Sequence, residues 1–353
     1  MARSANAIDM IPFSSGDEPL LHGGDLAAAR RLFPAAPEPF VDLSTGINPI
    51  PYPLPRLRPQ VFARLPDTAA VERLATIAAK AYGAPSAAYV VPAPGTQLLL
   101  PLAAGLVLPG RAAILAPTYS GHARAAALAG HAVAEVPDIG AIGNAGLVVV
   151  TNPNNPDGRQ IAKKDLLAVA GNLHARGGVL LVDEAFMDVT PSGASLAADT
   201  TRGNIVVLRS FGKFFGLAGL RLGFALAAPP LSARLAALLG PWAVSAPALL
   251  VGAKALADEA WLERTRRRLA KAAARLDTML SGAGLEIIGG TTLFRLAQTA
   301  GAEELFRHLG RAGILTRIFP EHTRWLRFGL PATDDDWRRL QIALAAFPYK
   351  PGL

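Results

Sequence analysis

Residues 209–223 read Arg209-Ser210-Phe211-Gly212-Lys213-Phe214-Phe215-Gly216-Leu217-Ala218-Gly219-Leu220-Arg221-Leu222-Gly223. The apolar run before them, 204–208, predicts a strand that delivers a short Ser/Gly turn carrying one lysine. A lysine amid Phe and Leu must be desolvated or paired, because a bare ammonium is costly in an apolar setting. Desolvation favours the neutral amine, and a neutral amine forms a Schiff base with an aldehyde. Ser210 and Arg221 are residue types that hold a phosphate. Aldehyde plus phosphate on one small molecule points to pyridoxal 5′-phosphate. A lysine snorkelling from a strand-to-helix loop is the plain alternative for this turn taken alone.

Outward from the turn, strands and helices alternate. Residues 88–91, 112–115, 132–136, 147–150, 179–182, 205–208 and 223–226 are short, nearly continuous apolar runs. Continuous apolar strands mean burial on both faces, which predicts an α/β sandwich around a largely parallel, seven-stranded sheet. Before them, Asp67 or Thr68 can cap a helix with Val71, Leu74, Ile77 and Ala78 on one face. Beyond Pro241 the pattern changes to a long helix over 258–280, with Leu262, Leu269 and Leu276 on its buried stripe. Strands at 285–288, 293–296, 314–318 and 325–328 and helices at 302–311 and 334–346 follow. That is an α+β region. The expected division is a large domain over 46–240 and a small one from 1–45 with 241–353.

Composition narrows the function classes. The 353 residues are 51% hydrophobic and 18% charged, which describes a globular protein with a substantial core. With no cysteine, disulfides, thiol nucleophiles and cysteine metal sites are excluded, and the six histidines show no metal-ligand spacing. The net charge of +8 raises nucleic-acid binding. The densest run, Arg264-Thr265-Arg266-Arg267-Arg268, lies in a helical pattern and reads as a solvated face, with no nucleic-acid-binding motif beside it. Residues 1–21 lack the charge and hydropathy pattern of a signal peptide, so a cytoplasmic protein is expected. Residues 235–253 are uncharged, but Gly240-Pro241 and Pro247 break the run into two helix ends, and no membrane segment is expected.

Four further candidate sites fall in loops after predicted strands, where open α/β sheets bind ligands. Pro94-Gly95-Thr96-Gln97 opens a helix: glycine lets the backbone approach a phosphate, threonine offers a hydroxyl, and the helix N-terminus favours the anion. Tyr119 can stack on an aromatic ring or sit at a rim. Residues 151–158, Thr-Asn-Pro-Asn-Asn-Pro-Asp-Gly, form a turn from which Asn155 can donate to the oxygen of a bound ring. Asp183 ends a buried strand and needs a partner. A protonated pyridine nitrogen would serve, as would a helix cap or a structural ion pair. Near the C-terminus Arg317 and Arg327, among Ile318, Phe319, Leu326 and Phe328, can each clamp a carboxylate or a phosphate.

Taken in order, these motifs resemble the fold-type I pyridoxal-phosphate enzymes, the aspartate aminotransferase superfamily, over about residues 20–345. The most specific parts are Asn152-Pro153-Asn154-Asn155-Pro156-x-Gly158, Asp183-Glu184-Ala185-Phe186, and Ser210-x-x-Lys213 with Arg221. The resemblance implies that Lys213 bonds the cofactor aldehyde, Asp183 pairs with the pyridine nitrogen and Asn155 donates to the phenolic oxygen. It implies that Tyr119 stacks on the ring and that Gly95, Thr96, Ser210 and Arg221 hold the cofactor phosphate. It also implies a homodimer. Two branches compete, the histidinol-phosphate aminotransferases and the threonine-phosphate decarboxylases of the cobalamin pathway. His22-Gly23-Gly24, residues 43–49 (Leu-Ser-Thr-Gly-Ile-Asn-Pro), Asp183 to Asp188 and the lysine stretch are similar to the decarboxylases, whereas aminotransferases generally carry tyrosine at 186 and serine or threonine at 212. The implied substrate is a small phosphorylated amino acid, its phosphate held by Arg317 with His22 and Asn48, its carboxylate by Arg327. The chain departs from the pattern at Leu65, where many relatives have a tyrosine that reaches the partner subunit, and at Phe186, which lacks a phenolic donor to the cofactor. A regulatory module that binds the cofactor without turnover is a third possibility, one that needs neither Arg317 nor Arg327.

Overall fold

The computed structural model describes residues 23–190 and 193–348. After β1 (Val41–Asp42) come the strands of the main sheet: β2 (Val90–Ala93), β3 (Arg111–Leu115), β4 (Ala132–Val136), β5 (Leu147–Thr151), β6 (Val179–Asp183), β7 (Ile205–Ser210) and β8 (Gly223–Leu226). Their order is β2-β8-β7-β6-β5-β3-β4. All neighbours are parallel except β8, which runs against both β2 and β7. The reversed strand has a local cause. A parallel partner needs a long crossover, and the segment between β7 and β8 holds only a four-residue helix, Phe211–Phe214, and a single 3₁₀ turn. The lysine stretch is therefore a doubling-back of the chain.

Side chains of the central strands alternate between two cores. Val148, Val150, Leu180, Val182, Ile205 and Val207 pack on one face. Leu147, Val149, Val179, Leu181, Val206 and Leu208 pack on the other. Both faces are covered, which explains the unbroken apolar runs.

A second sheet has the antiparallel order β12-β13-β10-β9, formed by β9 (Glu286–Thr291), β10 (Phe294–Gln298), β12 (Arg317–Ile318) and β13 (Trp325–Gly329). The short β11 (Ile314–Leu315) leaves it to pair in parallel with β1. The expected strand over 314–318 is thus split between two sheets at Thr316. Backbone contact joins the second sheet to the main one: Gly290 N–H donates to the Asp157 carbonyl at 2.8 Å. A Cβ on Gly158 would lie 2.0 Å from the Gly290 oxygen, so glycine is required at that crossing.

Residues 235–253 fall in two helices, Pro229–Leu239 and Ala246–Leu256. Among the described residues no helix is long and apolar enough to cross a membrane. The helix Glu259–Gly282 begins at Asp258, whose side chain accepts from Trp261 N–H at 3.0 Å. Its arginine run is only in part the solvated face that composition suggests. Arg266 Nε donates to the Asp188 carbonyl at 2.9 Å and Arg268 Nη2 to the Ile50 carbonyl at 3.2 Å, so two of the arginines fasten this helix to loops of the main layer.

The topology gathers the candidate residues. The chain leaves β3 for the edge strand β4 and returns as β5 on the other side of β3, which opens a crevice beyond the carboxyl ends of these strands. Asp183 and Ser210 are the last residues of β6 and β7. Because β2 and β7 both oppose β8, Gly95 after β2 and Arg221 before β8 arrive at the same edge.

Candidate active site

A cavity of about 470 Å³ opens at that edge. Gly95, Thr96, Tyr119, Asn155, Asp183 and Phe186 line it. Ser210, Lys213, Arg221, Arg317 and Arg327 complete the wall, so residues spread over more than 230 positions converge.

Lys213 stands on the four-residue helix, flanked by the buried Phe211, Phe214 and Phe215. Among the described residues it makes no ion pair, and its ammonium lies 5.8 Å from the centroid of the Phe186 ring. Its pKa is lowered from 10.5 to about 8, first by burial, then by the Arg327 cation, with Asp183 opposing and Arg221 adding to the shift.

Arg221, Gly95, Thr96 and Ser210 form a cradle beside it. Gly95 has φ +86°, and a Cβ there would lie 2.6 Å from Arg221 Nη2, so only glycine lets the loop and the guanidinium share this space. Arg221 itself is left-handed (φ 54°), a conformation uncommon for a non-glycine residue. Its Nη1 donates to the Ala218 carbonyl at 3.0 Å, which fixes the guanidinium plane. The helix Thr96–Ala104 begins without a side-chain cap, leaving its first N–H groups to bind an anion.

Asp183 is buried. Its Oδ1 accepts from Ala185 N–H at 3.0 Å and its Oδ2 lies 3.2 Å from His122 Nε2. His122, which the sequence reading passed over, is itself buried and also lies 3.1 Å from Thr151 Oγ1. Its only sequence signal is its place three residues after Tyr119, one helical turn along the start of Gly121–Leu128. Tyr119 packs edge-on against the His122 ring (5.7 Å between centroids) and donates its hydroxyl to Gln97 Oε1 at 3.0 Å. Burial, and then the Asp183 charge, push the Tyr119 phenol above its usual pKa.

Arg317 and Arg327 sit directly opposite each other in the antiparallel pair β12–β13. Like charges at a cross-strand pair are destabilising, and an anion between them would relieve the repulsion. Arg327 is the more buried: its pKa is lowered to about 9 by burial and by Arg317. Arg327 Nη1 donates to Asn155 Oδ1, and Nη2 donates to the Ser44 carbonyl at 2.7 Å. That contact turns the Asn155 carbonyl away and leaves its amide hydrogens to donate. Phe186 packs edge-on against Phe294 at 5.1 Å, and a Cβ on Gly46 would come within 3.0 Å of it.

Of the expected substrate contacts, His22 lies outside the described residues. Asn48 is buried away from the cavity, its Nδ2 donating to the Phe214 carbonyl at 2.8 Å and its Oδ1 accepting from Ile50 N–H at 3.0 Å. Leu65 is 67% exposed and does not reach the cavity. Glu321, at the cavity mouth, is a lining carboxylate that no sequence pattern marked.

The opposite faces of the same strand ends are braced. Strand alternation turns Glu184 and Arg209 away from the cavity while their neighbours Asp183 and Ser210 face it. Arg209, buried, donates Nη1 to Glu184 Oε2 at 3.1 Å and Nη2 to Asp188 Oδ1 at 2.6 Å, and stacks over Tyr82 at 4.3 Å. Removing one partner of such a group would strand a buried charge, at a cost of about 3–5 kcal/mol.

Comparison with known proteins places this geometry. A threonine-phosphate decarboxylase of Sinorhizobium sp. is 44% identical over 93% of this chain and 98% of its own length. One from Pseudomonas aeruginosa is 43% identical over 93% and 98%. Among solved structures, the histidinol-phosphate aminotransferase of Sinorhizobium meliloti in complex with pyridoxal-5′-phosphate superposes with a TM-score of 0.74 at 21% identity, covering 90% of this chain and 93% of that one. The family profile described as aminotransferase class I and II matches residues 9–344, and the chain belongs to that family.

Proposed function

We propose that this protein is a pyridoxal-phosphate-dependent decarboxylase of O-phospho-L-threonine that releases carbon dioxide and (R)-1-amino-2-propanol O-phosphate. The observation that carries the substrate class is the opposed pair Arg317 and Arg327 beside a half-buried lysine, a receptor for an amino compound with two anionic ends. The names of the two relatives sharing over 40% identity favour decarboxylation over amino transfer.

The residues present fit the cofactor. The Gly95–Arg221 crossing, the uncapped helix start at Thr96 and Ser210 would make a phosphate cradle, and Lys213 is a half-buried amine whose pKa is lowered to about 8. Asp183, oriented by Ala185 N–H and His122, would hold the proton of a pyridine nitrogen, and the Asn155 amide would donate to the phenolic oxygen. Bound pyridoxal phosphate supplies an electron-accepting ring for the electrons of the bond that breaks. Arg327 would fix the substrate carboxylate and Arg317 the phosphate, so the pair would set how the α-carbon is presented. Lys213 Nζ would be the group that returns a proton to that carbon. The product decides the reading: purified holoenzyme given O-phosphothreonine alone should evolve equimolar carbon dioxide and aminopropanol phosphate. A keto acid formed only with an amino acceptor would overturn it.

The two arginines differ in their expected roles. Arg317→Ala should raise KM for O-phosphothreonine by about 10- to 100-fold, the worth of one or two hydrogen bonds to a charged group. Its effect on unphosphorylated threonine should stay within about twofold, since that substrate lacks the group Arg317 would hold. Equal losses for both substrates would assign the phosphate to another residue.

A further inference from the structure

We infer that Asn48 is a positioning residue for Lys213, acting through the backbone of the lysine turn, and not a contact for substrate. This rests on the cofactor-dependent reading of the cavity but not on the choice of substrate.

The four-residue helix Phe211–Phe214 meets its carbonyl end only in part from within the turn, where the Lys213 carbonyl accepts from the N–H groups of Phe215 and Gly216. The segment 48–52 adds stronger partners from outside. Asn48 N–H donates to the Lys213 carbonyl at 2.9 Å, Asn48 Nδ2 to the Phe214 carbonyl at 2.8 Å and Tyr52 N–H to the Phe215 carbonyl at 2.9 Å. One asparagine thereby holds two consecutive carbonyls, one of them that of the lysine. Its remaining oxygen is engaged as well, accepting from Ile50 N–H at 3.0 Å and from Arg268 Nη2 at 3.4 Å. The residue is 1% exposed and absent from the cavity wall, so a ligand in the cavity would find no free polar atom on it.

A second feature shows that this contact is built. Gly216 follows the lysine turn at φ +68°, and a Cβ there would lie 2.6 Å from the Asn48 carbonyl oxygen and 2.8 Å from Pro51 Cα. Any other residue would push the two segments apart. The aromatic rings behind the turn share the anchor: Phe215 stacks on Trp261 at 5.7 Å, and Tyr52 meets the same indole edge-on at 5.1 Å.

The test separates positioning from binding. In holoenzyme, the visible absorption of the bound cofactor is titrated with pH for wild type, Asn48→Ala and Asn48→Asp. The aspartate keeps the acceptor for Ile50 and Arg268 but replaces the donor to Phe214 with a charged oxygen that the Phe214 carbonyl repels. Both variants should move the titration midpoint by about half a pH unit or more, because the lysine amine is displaced among charged neighbours. They should lower kcat by about 10- to 100-fold, with KM for O-phosphothreonine within about twofold. A KM raised tenfold or more with an unmoved midpoint would overturn the assignment in favour of a substrate contact. Unchanged values for both variants would overturn it outright. Should alanine prevent folding, the aspartate variant carries the same test. The titration is read on the cofactor alone, so it stands even where phosphothreonine proves not to be the substrate.

Discussion

Replacing Lys213 with alanine is expected to reduce turnover by at least about 10⁴-fold and to leave pyridoxal phosphate held by non-covalent contacts only. The expectation follows from where the amine sits. An exposed lysine with pKa near 10.5 is only about 0.3% neutral at pH 8. At Lys213, burial and the Arg327 cation bring the pKa to about 8, so about half of the population is neutral there. The shift lowers the pKa, so the reactive form grows as pH rises through about 8 and is scarce below about 7. Covalent capture of the cofactor by apoprotein should follow that profile. Lys213→Arg keeps a cation in place without a titratable amine and should be as inactive as the alanine variant, which separates the need for a nucleophile from the need for a charge. Borohydride reduction of wild type followed by peptide mass analysis should place the label on Lys213. A label on another lysine, or an alanine variant retaining more than about 1% of activity, would remove the basis for the proposed chemistry.

How far the sequence reaches depends on what kind of neighbour a residue needs. The strands of the main sheet were legible because each is apolar on both faces, and the observed ends differ from the expected ones by only a few residues. The placing of Asp183 and Lys213 in the cavity was legible for the opposite reason: each is a charge at the end of an apolar run, and such a charge must be paired or desolvated. The reversed direction of β8 was not legible, since an apolar strand reads the same in either sense and direction is set by the connection before it. His122 escaped because a histidine on a helix start carries no mark of the carboxylate it will face. The arginine run 264–268 looked like a solvated stripe because its acceptors, the carbonyls of Asp188 and Ile50, belong to loops distant in sequence. Asn48 lies in the 43–49 stretch, whose resemblance to the decarboxylases suggested a substrate contact, yet its sequence position could not tell a ligand contact from a backbone clamp. Only the two carbonyls it holds distinguish them.

Asp183→Asn is expected to lower kcat by about two to three orders of magnitude while the cofactor remains bound. Asparagine matches the carboxylate in shape and can still accept from Ala185 N–H, now 3.0 Å from Oδ1. What it lacks is the negative charge, which would keep a proton on the pyridine nitrogen and so maintain the ring as an acceptor of electrons. Among the described residues, none that contacts Asp183 supplies a second carboxylate. His122, the other group at Oδ2, lies 3.2 Å away and is also held by Thr151, and it can add positive charge but not negative. Losing one partner of a buried charge pair costs about 3–5 kcal/mol, which would correspond to roughly 10²- to 5 × 10³-fold if all of it fell on the rate. Lys213, Arg221 and the Thr96 helix start are untouched, so covalent attachment and phosphate binding should persist and KM should change little. A cofactor analogue methylated on its ring nitrogen carries the positive charge permanently and needs no carboxylate to maintain it. Loaded into the asparagine variant, the analogue should recover at least about tenfold of the lost rate, a gain that repair of a merely structural defect could not produce. A variant within about threefold of wild type would show that Asp183 serves only to seat His122 and the turn at Ala185. Failure of the methylated analogue to restore any rate, in a variant that has lost it, would lead to the same assignment.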